Sequence, residues 1–234
     1  MSTETDHIDP SSSTKPEFSR RGFVSLGAAT ALVAGNAAAA GAQSDGFGKP
    51  HPPIAPQLFD RLNAPSGDGK ADYQPFVPLA TQMTAQGFVT SDALAAHDWI
   101  RAQAADAPIG ITGFCMGGSI VLQQIIDSKA YAAASMFYGD VRPGTKRDDP
   151  TTPATFDFTS RITTPLLGSF GARDTSIKPE DVTAMFARLT APHSVKIYDE
   201  AGHAFFDDTR DSYVPSAAAD AWARTLAWFR QYLR

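Results

Sequence analysis

A single cysteine, Cys115, stands in 234 residues. No disulfide can form within the chain, and no Cys/His cluster has zinc-site spacing, so neither bridges nor a structural metal staple the fold. Basic charge is short as well: 20 Lys+Arg against 25 Asp+Glu give a formal net charge of −5. With a pI near 5.5, the chain offers no basic face for a phosphate backbone, and no nucleic-acid partner is indicated. Long apolar runs are absent too. The run from Gly22 to Ala34 is too short and too rich in Gly and Ala for a membrane span, which needs about 20 predominantly apolar residues. No internal repeat is visible. What is left is a chain whose 234 residues, 43% of them hydrophobic, bury one sizeable core and seldom two, with a small neutral or polar molecule as the expected ligand.

The first 42 residues read as an address. "SRRGFVSLGAATALVAGNAAAAGA" holds the pair Arg20 and Arg21, a weakly apolar run, and an A-x-A site at Ala40 and Ala42, which resembles a twin-arginine export signal. The alternative is a disordered basic and Ala-rich tail. As a signal it predicts export of the folded protein to the periplasm or beyond, a mature chain starting near Gln43, and no stable membrane insertion after cleavage. Residues 43–56, "QSDGFGKPHPPIAP", lack either periodicity and read as a Gly/Pro-rich linker. Residues 57–234 are then expected to form the one folded domain.

From Ser91 onward, helical and strand patterns alternate. Ser91 is a candidate N-cap for a helix to about Ala104, with Ala95, Trp99 and Ala102 sharing a face. A strand is expected at 109–114, then a helix from Met116 to about Lys129 with Ile120, Leu122 and Ile125 inward. Further strands are expected at 131–138, 165–170 and 194–198. A helix begins at Pro179, where the missing N–H costs nothing, and runs to about Leu189. A last helix follows Pro215, with Ala218, Trp222, Thr225, Leu226, Phe229 and Leu233 at helical spacing. This order predicts an α/β fold, a mostly parallel sheet flanked by helices. Trp222, Trp228 and Phe229 read as packing residues, His51 as a linker residue and His97 as a helix-surface residue.

In such a sheet, chemistry gathers at the carboxyl ends of the strands. Cys115 follows the first of them, Asp174 follows "PLLGSFGAR" and His203 follows "SVKIYDEAG", giving nucleophile, acid and histidine in that chain order. The turn Gly113-Phe114-Cys115-Met116-Gly117 is a G-x-C-x-G elbow. Its glycines remove side chains that would collide where the strand turns sharply into the helix. The turn sets Cys115 at a helix N-terminus, which favours a thiolate. His203 would take the proton, Asp174 would hold the imidazole tautomer, and the backbone N–H of Met116 would face an acyl oxyanion. Gly202 is expected to let the histidine loop turn inward. The plainer alternative is a small buried cysteine with two loop residues.

The stretches "GITGFCMGGSI", "FGARDTSIKPE", "IYDEAGHAFFDD" and "YVPSAAADAWARTLAWF", with a weaker "APQLFDRL", resemble the dienelactone hydrolase family over about residues 53–234. The resemblance implies an α/β-hydrolase fold and a triad at Cys115, Asp174 and His203. It also implies hydrolysis of a small ester or lactone through a thioester acyl-enzyme, with no metal or cofactor. Two departures alter the expectation. Family members that open dienelactones hold the substrate carboxylate with an arginine shortly after the catalytic histidine, where this chain has Phe206, Asp207 and Asp208, with Arg210 the nearest cation. A less charged ester or lactone is therefore expected. The family also places two or more strands and a helix before "APQLFDRL", and the fourteen residues from Gln43 to Pro56 cannot hold them, since a crossover alone takes at least about 10 to 12. An internal deletion of the first strands and first helix is expected at "PPIAPQLF". It would leave half an oxyanion hole and an open edge on the nucleophile's strand. The competing readings are a catalytically impaired remnant that associates through that edge and, more weakly, a thiol redox protein, against which stands the lack of any C-x-x-C or resolving cysteine.

Overall fold

The strand that carries the elbow, Ile109–Phe114, is almost wholly buried, as expected of a run covered on both faces in a parallel sheet. In a computed structural model that describes residues 30–34, 78–79, 82, 87–143 and 155–234, it is β2 of a five-stranded sheet. Before it come β1 (Thr30–Ala34) and α1 (Phe88–Gln103); after it come α2 (Met116–Asp127), β3 (Ala133–Phe137) and β4 (Leu166–Gly171). A 3₁₀ turn, Asp157–Arg161, precedes β4, and the chain closes with α3 (Pro179–Phe186), β5 (His193–Tyr198) and α4 (Pro215–Tyr232). The strands lie in the order β1-β2-β3-β4-β5. β2 to β5 are parallel, with Gly110 opposite Ala133, Ala134 opposite Leu166, and Leu166 opposite His193.

Helices cover both faces of that parallel sheet. On one side Val121, Leu122 and Ile125 of α2 join Ile100, Ile109, Ile111, Phe170 and Phe186 in the main core. On the other, α4 lays Ala217 and Ala221 against Phe137, Tyr198 and Phe205, and Phe229 against Ala133. Phe229 is buried while Trp222 and Trp228 are half-buried, consistent with packing roles. Pro179 and Pro215 stand in the first turns of α3 and α4.

Several boundaries differ from expectation. The strand expected at 131–138 is confined to Ala133–Phe137, because Tyr138 turns to φ 36°. The first helix starts at Phe88 with Gly87 as its N-cap, so Ser91 lies inside it and bonds back to the Gly87 carbonyl. Its buried stripe is Ala93, His97 and Ile100, whereas Trp99 is 54% exposed. The expected face of Ala95, Trp99 and Ala102 points to solvent. Both triplets fit helical spacing, and reading His97 as polar surface concealed the true one. That imidazole packs edge-on against Tyr131 at 5.4 Å.

A further correction concerns β2's outer edge, expected to be open. β1 pairs with it antiparallel, Thr30 opposite Gly113 and Ala34 opposite Ile109, and it comes from the stretch read as an export signal. The linker at 43–56, including His51, and "APQLFDRL" lie outside the described residues.

Candidate active site

At the end of β2 the chain must reverse direction within one residue to start α2, and Cys115 is that residue, with φ 53° and ψ −116°. A non-glycine residue is held there only when its surroundings fix it. The fixings are visible. The N–H of Cys115 donates to the carbonyl of Phe137 at 3.0 Å, and its carbonyl accepts from the N–H of Ser119 at 3.1 Å. Gly113 and Gly117 meet across the turn: a Cβ on Gly113 would lie 2.2 Å from the Gly117 carbonyl oxygen. Gly118, which the sequence did not single out, passes so close to β3's end that its Cβ would lie 2.7 Å from the Phe137 carbonyl oxygen.

The other two residues come from loops stitched together. Past β4, the N–H of Arg173 donates to the carbonyl of Ala201 at 2.9 Å, joining the acid loop to the histidine loop. Asp174 has a side chain only 1% exposed, and its Oδ1 accepts from the N–H groups of Ser176 at 2.8 Å and Ile177 at 3.0 Å. Its Oδ2 lies 2.7 Å from His203 Nδ1, and His203 Nε2 lies 3.1 Å from Cys115 Sγ. The histidine loop does not turn at Gly202 as expected: Gly87 is the one glycine with positive φ among the described residues, and Ala204 carries the left-handed turn at φ 58°.

Burial works against charge on both members of the acid–base pair, and contacts reverse it. Burial would raise the Asp174 pKa, but the His203 hydrogen bond and charge and the two backbone N–H donors hold it below the ordinary carboxylate value. Burial would lower that of His203, but its hydrogen bonds to Asp174 and Cys115 push it up to about 9. The arrangement favours a protonated imidazole beside the Cys115 sulfur. Met116, as the first residue of α2, has an N–H with no acceptor inside its own helix. Among the described residues no group of three or more His, Cys, Asp and Glu could hold a metal ion.

Cys115 shares an aromatic cluster: it packs, with Phe114, Phe206 and Trp222, against the group that holds Phe137, Tyr138 and Phe205, and Phe206 lies 5.0 Å from Phe114 and 5.9 Å from Trp222. Tyr138, 3% exposed, sets its ring 5.3 Å from that of His203. Burial, followed by the charges of Cys115 and Asp207, keeps its hydroxyl protonated. It too follows a strand, β3, so the strand-end rule that located the other residues would have found it. Asp207 is bound by Arg210 at 2.8 Å and by the N–H and hydroxyl of Thr209.

A parallel sheet flanked by helices, with a strand-to-helix elbow and an acid and a histidine past later strand ends, defines the α/β-hydrolase class. The dienelactone hydrolase family model matches residues 52–233, and the chain belongs to that family. A Salmonella typhimurium protein assigned by its name to the carboxymethylenebutenolidases is 33% identical over 186 residues, which cover 76% of this chain and 66% of that one. An Escherichia coli K12 relative with the same name is 32% identical over the same shares. The chain thus spans just under two thirds of these relatives' length. A solved Klebsiella pneumoniae structure, titled as a dienelactone hydrolase, superposes with a TM-score of 0.62 at 29% identity, over 76% of this chain and 74% of that one.

Proposed function

We propose that this chain is a carboxylic ester hydrolase that cleaves a small, weakly charged ester or lactone through Cys115, His203 and Asp174. The observation that carries the proposal is the continuous contact from Cys115 Sγ through the His203 ring, at 3.1 and 2.7 Å, to the buried Asp174 carboxylate.

The Cys115 thiolate attacks the acyl carbonyl, forming a C–S bond and an oxyanion facing the Met116 N–H. The intermediate collapses, the C–O bond to the alcohol breaks, and the departing alkoxide takes its proton from the His203 imidazolium. That leaves a thioester and a neutral imidazole. Water then gives a proton to His203 as its oxygen attacks the thioester, the C–S bond breaks, and the carboxylic acid departs as the thiolate–imidazolium pair returns. Asp174 keeps Nδ1 protonated and Nε2 aimed at the sulfur. The aromatic surroundings suit an apolar acyl or alcohol group, and the Asp207–Arg210 pair with exposed Asp208 leaves one negative charge in excess, which disfavours an anionic substrate.

Hydrolysis of p-nitrophenyl acetate tests this. Wild type is expected to turn over, and Cys115→Ser and His203→Ala to fall to the uncatalysed rate; equal rates for all three would refute the proposal. We also infer that residues 1–42 act as a twin-arginine leader, supported by Arg20-Arg21 and the A-x-A site, whose cleavage would take β1 away and leave β2's edge open, and that "PPIAPQLF" marks an internal deletion, supported by the shorter span relative to the Salmonella typhimurium relative.

A further inference from the structure

The peptide unit that presents the Met116 N–H is the one that carries the Cys115 carbonyl. Because a trans peptide is planar, its C=O and N–H point in opposite directions and move together, so whatever holds the carbonyl aims the N–H. Two groups hold it, both from Ser119: the backbone N–H at 3.1 Å and the hydroxyl, which donates at 3.4 Å. The hydroxyl is itself fixed, because its oxygen accepts from the N–H of Asp140 at 2.8 Å, just past the β3 end that also receives the Cys115 N–H through Phe137. A relay runs from Asp140 N–H through the Ser119 hydroxyl to the Cys115 carbonyl. It ties α2's first turn to the neighbouring strand, and the close approach of Gly139 to Gly118, where a Cβ on the former would lie 2.4 Å from the latter's carbonyl carbon, leaves little slack.

We infer that Ser119 is a positioning residue for the oxyanion donor: its hydroxyl holds the Cys115–Met116 peptide plane so that the Met116 N–H faces the developing oxyanion. This rests on the hydrolase reading of the site. The residue touches neither substrate nor the reacting atoms. Its effect is therefore confined to steps in which an oxyanion forms, and it leaves the thiolate–imidazolium pair, held by Asp174 on the other side, as it is.

That separation gives the test. Acylation by p-nitrophenyl acetate needs the oxyanion donor, whereas alkylation of Cys115 by iodoacetamide needs only the thiolate. Ser119→Ala, and the isosteric pair Ser119→Thr and Ser119→Val, are compared with wild type in both reactions. Ala and Val are expected to slow acylation about tenfold through kcat with KM unchanged, a fraction of the 10²–10³ lost with a whole donor. Alkylation should stay within about twofold of wild type, and Thr should restore acylation. Acylation by Ala and Val at the wild-type rate would overturn the inference, as would equal losses in both reactions or a Thr variant no better than Val. A wild type that alkylates but never acylates would instead refute the hydrolase reading, and this inference with it.

Discussion

Gly113 and Gly117 approach so closely across the elbow that a Cβ on the first would fall 2.2 Å from the carbonyl oxygen of the second. Real Cβ atoms do not come so near a backbone oxygen, and neither partner is a flexible side chain that could yield. This contact lets β2 pass into α2 within one residue and leaves Cys115 at the apex.

Gly113→Ala is expected to cost at least about 3 kcal/mol and to abolish hydrolysis, by overpacking backbone against backbone. Gly202→Ala is its control, since a Cβ there would meet nothing nearer than the Arg173 carbonyl oxygen at 3.7 Å. That variant should unfold within about 0.5 kcal/mol of wild type in urea.

Asp174→Asn keeps the size of the side chain and an acceptor for Ser176 and Ile177, but it removes the charge 2.7 Å from His203 Nδ1 to which we assign the fixing of the His203 tautomer. Loss of that charge in a comparable triad lowers kcat by about 10⁴, and a fall of at least about 10² is expected here with little change in secondary structure by circular dichroism. A loss below tenfold would show that Asp174 does not orient the imidazole.

Stability should depend on pH through the same pair. His203 holds its proton up to about 9 in the folded chain, against 6.5 ordinarily, so this group binds more protons in the folded state between those values. Its stabilising contribution is complete below about pH 6.5 and is lost as pH rises through about 9. Asp174, lowered from 3.8, contributes above that value and loses its contribution as pH falls below it. In the thiolate–imidazolium pair the His203 proton is the one the thiol gives up, so the two largely offset between pH 6.5 and 9; the urea midpoint should fall instead as pH drops below about 3.8, and Asp174→Asn should flatten that fall.

Asp207→Ala removes the carboxylate that holds Arg210 at 2.8 Å and with it one negative charge near Tyr138. Hydrolysis of an anionic aryl ester should rise several-fold relative to a neutral one, since about 1 kcal/mol attends one charge contact at about 4 Å in water. An unchanged ratio would place the ion pair away from the bound acyl group.

The parallel sheet and the three strand-end residues were legible because both follow from local pattern. Apolar runs bounded by turns mark buried strands, and Cys115, Asp174 and His203 each follow one within a few residues. What escaped depends on contacts distant in sequence. His97 looks polar by itself, and only Tyr131, brought beneath α1 by β3, makes it an interior residue. Ala204 takes the left-handed turn in place of Gly202 because the loop around it overrides a single residue's preference. The pairing of Thr30–Ala34 with β2 joins segments almost eighty residues apart, and a strand of that composition carries no sign of its partner.

Mass analysis of the intact protein, acid-quenched within the first turnovers of p-nitrophenyl acetate, tests the central claim most directly. One acetyl group on wild type, mapped to Cys115, labile to hydroxylamine and lost as substrate is exhausted, is the predicted result. Turnover with no acetyl on Cys115, or turnover that survives Cys115→Ala, would contradict it.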